Sequence, residues 1–134
     1  MPNHTVRSAG IWAGLACYWL GLFVATHVPT DMVSLPGQVS DKLPHFLAYA
    51  GLAILLAAAW QITAGRLSWR QLCGAWVLLV FYAAIDESTQ IPVGRHASIW
   101  DWVADLAGAA AGLAIFLGWN RCRRAGGASS KPST

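Results

Sequence analysis

The sequence predicts an all-α fold, an integral membrane protein whose four helices form an antiparallel bundle. The chain is 56% hydrophobic and only 11% charged, whereas a soluble domain usually carries about 25% charged residues. Four apolar stretches fill most of the 134 residues. A helix needs roughly 20 residues to cross the hydrocarbon layer. The two later stretches reach that length only if their helices include the acidic residues beside them.

The first helix is predicted over about residues 9–28, because Pro29 disfavours helix in the residue before it. The second helix begins with Asp41 or the preceding serine as its N-cap. Pro44 then lies in the first turn, where a missing N–H costs little. This helix ends near Gly65, a residue that favours a helix terminus.

The third helix is predicted to begin near Ser68 and to end just before Pro92. Ser98 and Asp101 have the spacing of a capping box, which predicts the start of a fourth helix that reaches Trp119. The predicted organisation is one four-helix transmembrane domain over residues 9–120, followed by a basic, disordered cytoplasmic tail over residues 121–134.

The distribution of charge predicts the orientation of the bundle. Basic residues occur at the N-terminus, between the second and third helices, and at the C-terminus (Arg7, Arg66, Arg70, Arg121, Arg123, Arg124 and Lys131). Because positive residues favour the cytoplasmic side, we expect a multi-pass plasma-membrane protein with both termini in the cytoplasm. The two acidic connections would then lie outside. The basic pI reflects this topology, so no nucleic-acid partner is expected.

The acidic residues are the most informative feature for function. Asp86, Glu87 and Asp105 should lie about one turn below the membrane surface, where a carboxylate is expected to face the bundle interior or a wet cleft. On the fourth helix, four residues are spaced i, i+4, i+7 and i+11 and so share one face: Asp101, Asp105, Gly108 and Gly112. This face is predicted to pack closely against another helix.

Three helix ends are therefore expected to bring ionisable side chains together in one polar cleft. The candidate catalytic residues are His45, Asp86 and Glu87, and the candidate ligand-binding residues are Lys42, Tyr49, Gln90, Arg95, Asp101 and Asp105. A structural alternative is that the cluster only locks the fold, with Asp41 and Asp101 as caps and Arg95 bridging to an acid. His45, Glu87 and Asp105 are metal-ligand types, but no spacing such as H-E-x-x-H is present. No metal site and no cofactor are predicted.

The order of these residues resembles that of the VanZ-like family of small membrane proteins. The matching elements are Asp41-Lys42-x-x-His45-Phe46-x-x-Tyr49, then Asp86-Glu87-x-x-Gln90, then Gly94-Arg95, then Asp101 and Gly108 with Gly112. Asp105 departs from the pattern, because the family more usually has Asn there, and an acid makes the cleft more negative. The family's namesake is associated with resistance to the lipoglycopeptide teicoplanin, so the resemblance implies a role in the cell envelope.

Three functions remain open from the sequence. The first is binding or modification of a lipid-linked or amphiphilic molecule at the outer leaflet, with membrane lipids or a lipoglycopeptide as partner. In that case Arg95 and Lys42 would hold an anionic headgroup. The second is a membrane-embedded hydrolase or transferase acting on a lipid. The third is a structural or accessory subunit. The sequence does not indicate an oligomeric state.

Overall fold

The computed structural model describes residues 3–28, 42–95 and 98–128 of the chain. Its elements are α1 (Asn3–Thr26), α2 (Lys42–Ala64), α3 (Trp69–Gln90), a short 3-10 helix (Ile91–Val93) and α4 (Ile99–Ala128). Each of the four α-helices is long and apolar enough to cross a membrane, and the described residues contain no strand. The predicted all-α, four-helix membrane fold is confirmed.

Two helices are longer than the sequence pattern predicts. α1 begins at Asn3, and α4 continues through the basic segment to Ala128 instead of ending near Trp119. Arginine and alanine are good helix formers, so the helix need not end where the apolar stretch does. The predicted effects of Pro29 and the proposed N-cap Asp41 lie outside the described residues.

The connection between α2 and α3 is short and follows the predicted turn chemistry. Gly65 has a φ of +77°, which only glycine adopts without strain. Ser68 caps α3 through its side chain, which accepts a hydrogen bond from the backbone N–H of Gln71, and the Gln71 side chain accepts one from the Ser68 backbone in return. This capping box satisfies two N–H groups that the helix itself cannot pair.

α2 is the central helix of the bundle, since it contacts each of the other three, and its contact with α4 is the most extensive. Gly108 and Gly112 explain why these two helices lie so close. A Cβ atom at Gly108 would overlap the backbone carbonyl of Phe46, and one at Gly112 would overlap that of Ala50. The prediction that this face of α4 packs closely is therefore confirmed.

α1 lies at the periphery. Of its described side chains only Leu15 and Thr26 are buried. Gly10 and Gly14, which have the same spacing as the glycines of α4, have nothing within 4 Å of the position a Cβ would take. Small residues at this spacing permit close helix packing, but α1 does not use them within this chain.

The four helices alternate in direction, which gives the bundle two distinct ends. At one end the indole Nε1 of Trp12 donates to Thr63 Oγ1, and Gln61 and Asn120 exchange side-chain hydrogen bonds. At the other end Thr26 hydrogen-bonds to Asp86. We call this second end, where α1 and α3 finish and α2 and α4 begin, the cluster end.

Candidate functional site

The cluster end contains six buried ionisable or amide side chains from three helices, which we call the polar cluster: His45, Asp86, Glu87, Gln90, Asp101 and Asp105. Each is at most 9% exposed. The expectation that the carboxylates of Asp86, Glu87 and Asp105 face the bundle interior is confirmed. Charged groups inside a membrane bundle are costly unless they are paired or solvated, so their partners decide what the cluster does.

Asp86 is held by hydrogen bonds on both of its carboxylate oxygens. Thr26 Oγ1 donates to Oδ1 at 3.1 Å, and Gln90 Nε2 donates to Oδ2 at 3.2 Å. The ring of His27 is also close, with Nδ1 3.9 Å from Asp86 Oδ1. This half of the polar cluster joins α3 to α1, and its arrangement fits a structural connection.

Glu87 faces the other way, towards α2 and α4. Its Oε2 accepts a hydrogen bond from the backbone N–H of Ser98 at 2.9 Å. Its Oε1 lies 4.0 Å from His45 Nδ1, and that nitrogen donates to Asp105 Oδ1 at 3.0 Å. The sequence pattern had suggested that Asp101 would complete a capping box with Ser98. That interpretation is corrected, because Glu87 from the neighbouring helix occupies the Ser98 N–H.

Lys42 and Asp101 form the rim of this half of the polar cluster. Lys42 Nζ lies 3.6 Å from Asp101 Oδ1, and the lysine side chain is about half exposed. Tyr49 lies one helical turn from His45 on α2 and is only 1% exposed. Its ring centroid is 6.0 Å from that of Tyr82, so it closes the polar cluster on the side of the apolar core.

The Glu87 half has more acceptors than donors. Glu87 Oε1, Asp101 Oδ1 and Asp105 Oδ2 are buried and have no hydrogen-bond partner among the described residues. An unpaired buried acceptor costs about 1–3 kcal/mol, and more when the group is charged. The His45, Glu87 and Asp101 side chains each offer a ligand atom within 4.8 Å of the others, so a donor-rich group or a cation would relieve this half.

A cavity of about 300 Å³ opens between α3 and α4 beside Glu87. We call it the side pocket, and it is lined by Ala84, Glu87, Ser98, Ile99 and Trp102. Three of these five side chains are apolar, and Ile99 is 65% exposed on the surface of the bundle. The pocket thus has one polar wall, at the polar cluster, and otherwise continues the apolar lateral face of the helices.

Arg95 is directed away from the Glu87 half. Its Nη1 donates to the backbone carbonyls of Ala25 at 3.3 Å and Thr26 at 3.0 Å. A cation at the C-terminal end of a helix satisfies unpaired carbonyl groups and favours the helix dipole. Arg95 therefore connects the segment after α3 to α1, and not to a carboxylate, in the part of the chain that the structure describes.

The comparison with protein families identifies the chain. The family model described as VanZ/LLP1 matches residues 18–120, which include the end of α1, all of α2 and α3, most of α4 and the whole polar cluster. The chain belongs to the VanZ/LLP1 family. No curated protein and no solved structure matches it.

Two side chains of this VanZ/LLP1 protein were missing from the site predicted by sequence. Thr26 and His27 end the first apolar stretch and contribute directly to the surroundings of Asp86. A signal for them was present, because a histidine at the same predicted end of the bundle is as unusual in a membrane helix as an acid. Their pairing with Asp86 depends on which side of the bundle α1 occupies, and the sequence gives no spacing that fixes this.

Proposed function

We propose that this VanZ/LLP1 protein binds the polar headgroup of a lipid-linked or amphiphilic molecule in the side pocket, from the outer leaflet of the plasma membrane. The observation that carries the proposal is the composition of the pocket, with Glu87 and Ser98 on one wall and apolar side chains on the others. Ligand sites are typically concave and mostly apolar, with a few polar groups that fix orientation. An amphiphile is divided in the same way, into a polar headgroup and an apolar tail.

The chemistry of the proposed headgroup follows from a buried acceptor atom that lacks a hydrogen-bond donor. Glu87 lines the side pocket, and its Oε1 has no hydrogen-bond partner among the described residues. Hydroxyl or ammonium groups, such as those of a sugar or an aminoalkyl headgroup, supply the donor that this oxygen lacks. In the proposal, Lys42, which pairs with Asp101 at the rim, would contact an acidic substituent of the headgroup. In this proposal Arg95 keeps α1 in position and does not hold the headgroup.

Ala84→Phe tests the pocket without changing the polar cluster, because Ala84 lines the pocket as a small exposed residue. Filling the cavity should lower the amount of lipid that co-purifies with the protein by at least about tenfold, which corresponds to about 1.4 kcal/mol of binding free energy. Native mass spectrometry from mild detergent measures the bound lipid. Ile85→Phe is the matched control. It adds the same ring to the next exposed position of α3, which does not line the pocket, and should retain the lipid. Equal retention in both variants would exclude the pocket as the binding site.

The resemblance to the family namesake extends the proposal to glycopeptide sensitivity. At matched expression, the wild-type chain should reduce sensitivity to teicoplanin in a susceptible host. Glu87→Gln should lose this effect, because the amide no longer offers two acceptor oxygens, while Asp86→Asn should largely keep it. A wild-type chain without effect on sensitivity would remove the resistance role but would leave lipid binding to be judged by co-purification.

The same variants distinguish the two alternatives. If the polar cluster is only a structural lock, Glu87→Gln lowers the midpoint of thermal unfolding in detergent and lipid retention falls only with folding. If the protein is a lipid hydrolase or transferase, purified wild-type protein incubated with cell lipids yields a new product by mass spectrometry, and Glu87→Gln does not.

A further inference from the structure

Three metal-ligand side chains from three different helices converge in the Glu87 half of the polar cluster. His45 comes from the first turn of α2, Glu87 from the last turn of α3 and Asp101 from the first turn of α4. One potential ligand atom of each lies within 4.8 Å of the other two. The sequence predicted that these residues share one cleft, but it did not single them out as a ligand set, because no two of them are close along the chain.

A second observation also points to a cation. Glu87 Oε1 and Asp101 Oδ1 have no hydrogen-bond partner among the described residues, although each residue is only 6% exposed. Glu87 Oε1 is directed towards the imidazole, 4.0 Å from His45 Nδ1. Removing carboxylates from water is expensive unless they are paired or coordinate a metal. Asp101 Oδ1 is paired with Lys42, whose Nζ lies 3.6 Å away, so Glu87 Oε1 is the main indication of a cation.

We propose that His45, Glu87 and Asp101 bind a divalent first-row transition-metal ion, with Zn²⁺ and Mn²⁺ as the best candidates. One imidazole nitrogen and two carboxylate oxygens suit these ions, whereas Mg²⁺ and Ca²⁺ prefer oxygen alone. Ligand atoms at roughly 2.0–2.2 Å from the ion would have to move together by about 1 Å, which side-chain rotation supplies. Three protein ligands leave a coordination position open, as in catalytic rather than structural zinc sites.

Asp105 has the geometry of a supporting residue for this site. It accepts a hydrogen bond from His45 Nδ1 at 3.0 Å, and it is completely buried. A metal-binding histidine almost always donates its second ring N–H to a carboxylate or carbonyl, which fixes the ring orientation. Because Nδ1 makes that bond here, the ion would bind His45 through Nε2. The His45–Asp105 pair provides such a connection between α2 and α4.

The ion would lie behind the polar wall of the side pocket, since Glu87 belongs to both. An oxygen atom of a bound headgroup could then complete the coordination, a step that rests on the proposed function. Metal binding itself does not depend on an amphiphile. The experiment therefore measures the metal alone, on lipid-stripped protein.

The full chain is purified in detergent with a tag that contains no histidine, stripped with EDTA and dialysed. Equilibrium dialysis against Zn²⁺ with metal analysis, and titration with Mn²⁺ followed by electron paramagnetic resonance, should both show one saturable ion per chain. Electron spin-echo modulation of the bound Mn²⁺ should show a directly coordinated nitrogen from His45. Absence of saturable binding of either ion, or bound Mn²⁺ without nitrogen coupling, overturns the proposal.

Two near-isosteric variants locate the site, and a third is the matched control. Glu87→Gln and Asp101→Asn should each weaken metal binding at least about 100-fold, the upper range for groups that only support a ligand. Asp86→Asn removes the adjacent buried carboxylate, which is engaged by Thr26 and Gln90, and should keep the affinity within about threefold. Circular dichroism and gel filtration confirm folding. Wild-type affinity in both ligand variants, or equal loss in Asp86→Asn, contradicts the assignment.

Discussion

Asp105 shows how a single residue sets the balance of charge in the polar cluster. Its Oδ1 accepts from His45, while its Oδ2 is buried without a partner. The resemblance to the VanZ-like family led us to expect Asn at this position. An amide would keep the acceptor for His45 and replace the unpaired oxygen by a donor.

We therefore predict that Asp105→Asn leaves the free energy of unfolding within about 1 kcal/mol of wild type, whereas Asp105→Ala lowers it by about 2 kcal/mol, because His45 then loses its partner in a buried site. Reversible denaturation in mixed micelles with EDTA present measures both values. The prediction is wrong if the alanine variant is as stable as the asparagine variant.

For single residues, the sequence predicted which side chains lie in the polar cluster better than it predicted their hydrogen-bond partners. It placed His45, Asp86 and Glu87 at one end of the bundle, because their positions relative to the apolar stretches fix their depth. It could not assign Thr26 to Asp86 or the Ser98 N–H to Glu87, since these pairs depend on the rotation of helices about their own axes. Adjacent residues on a helix point about 100° apart. Asp86 therefore contacts α1, whereas Glu87 faces α2 and α4.

Among the helices, the close packing of α2 against α4 depends on two glycines, Gly108 and Gly112. Gly108→Ala should lower the free energy of unfolding by about 1–3 kcal/mol, because the added methyl group overlaps the Phe46 carbonyl and the helices must separate. Gly118→Ala on the same helix has open space around it and should be neutral or slightly stabilising through helix propensity. Denaturation of the two variants in parallel gives the comparison.

If Gly108→Ala and Gly118→Ala had equal stability, close packing of α2 on α4 would not contribute as described. The i, i+4, i+7, i+11 spacing predicted this face from sequence. The equivalent inference for Gly10 and Gly14 of α1 would have been wrong, because glycine spacing permits close contact but does not require it.

Arg95 is predicted to hold the end of α1 against the rest of the bundle. Its side chain bonds to the carbonyls of Ala25 and Thr26, and α1 has few other buried contacts. Arg95→Ala should increase amide hydrogen exchange in the last turn of α1 roughly tenfold, as expected for losing a charge-assisted hydrogen bond. Arg70→Ala, an exposed arginine at the other end of α3, serves as the control. Unchanged exchange in Arg95→Ala would show that α1 is held by other contacts.

For the whole molecule, four membrane-spanning helices followed directly from composition and apolar length, and the structure confirms them. The depth of the acids in the membrane stays a prediction, which rests on two apolar stretches that are too short to cross alone. The sequence predicted that His45, Glu87 and Asp101 would share one end of the bundle. Neither the distances between them nor the side pocket could be predicted, since both depend on how three helices pack.

The orientation of the molecule remains a prediction from the positions of its arginines. In a background with Cys17, Cys73 and Cys122 replaced by alanine, Ser98→Cys at the cluster end should react with a membrane-impermeant maleimide added outside intact cells. Ser68→Cys at the opposite end should react only after permeabilisation. Labelling of Ser98→Cys only from the cytoplasm would reverse the topology and would place the side pocket in the inner leaflet.

The position of the side pocket between α3 and α4, with the exposed residues Ala84 and Ile99 in its lining, affects how its occupancy should be measured. A molecule that enters between two helices arrives by diffusion in the plane of the leaflet, so its mole fraction among lipids takes the place of its concentration in water. Even if the pocket bound this molecule only slightly better than other lipids, it would be occupied in a cell envelope rich in that molecule. This slight preference would be lost on dilution into excess micelles, and binding curves should therefore be compared at a fixed ratio of ligand to detergent.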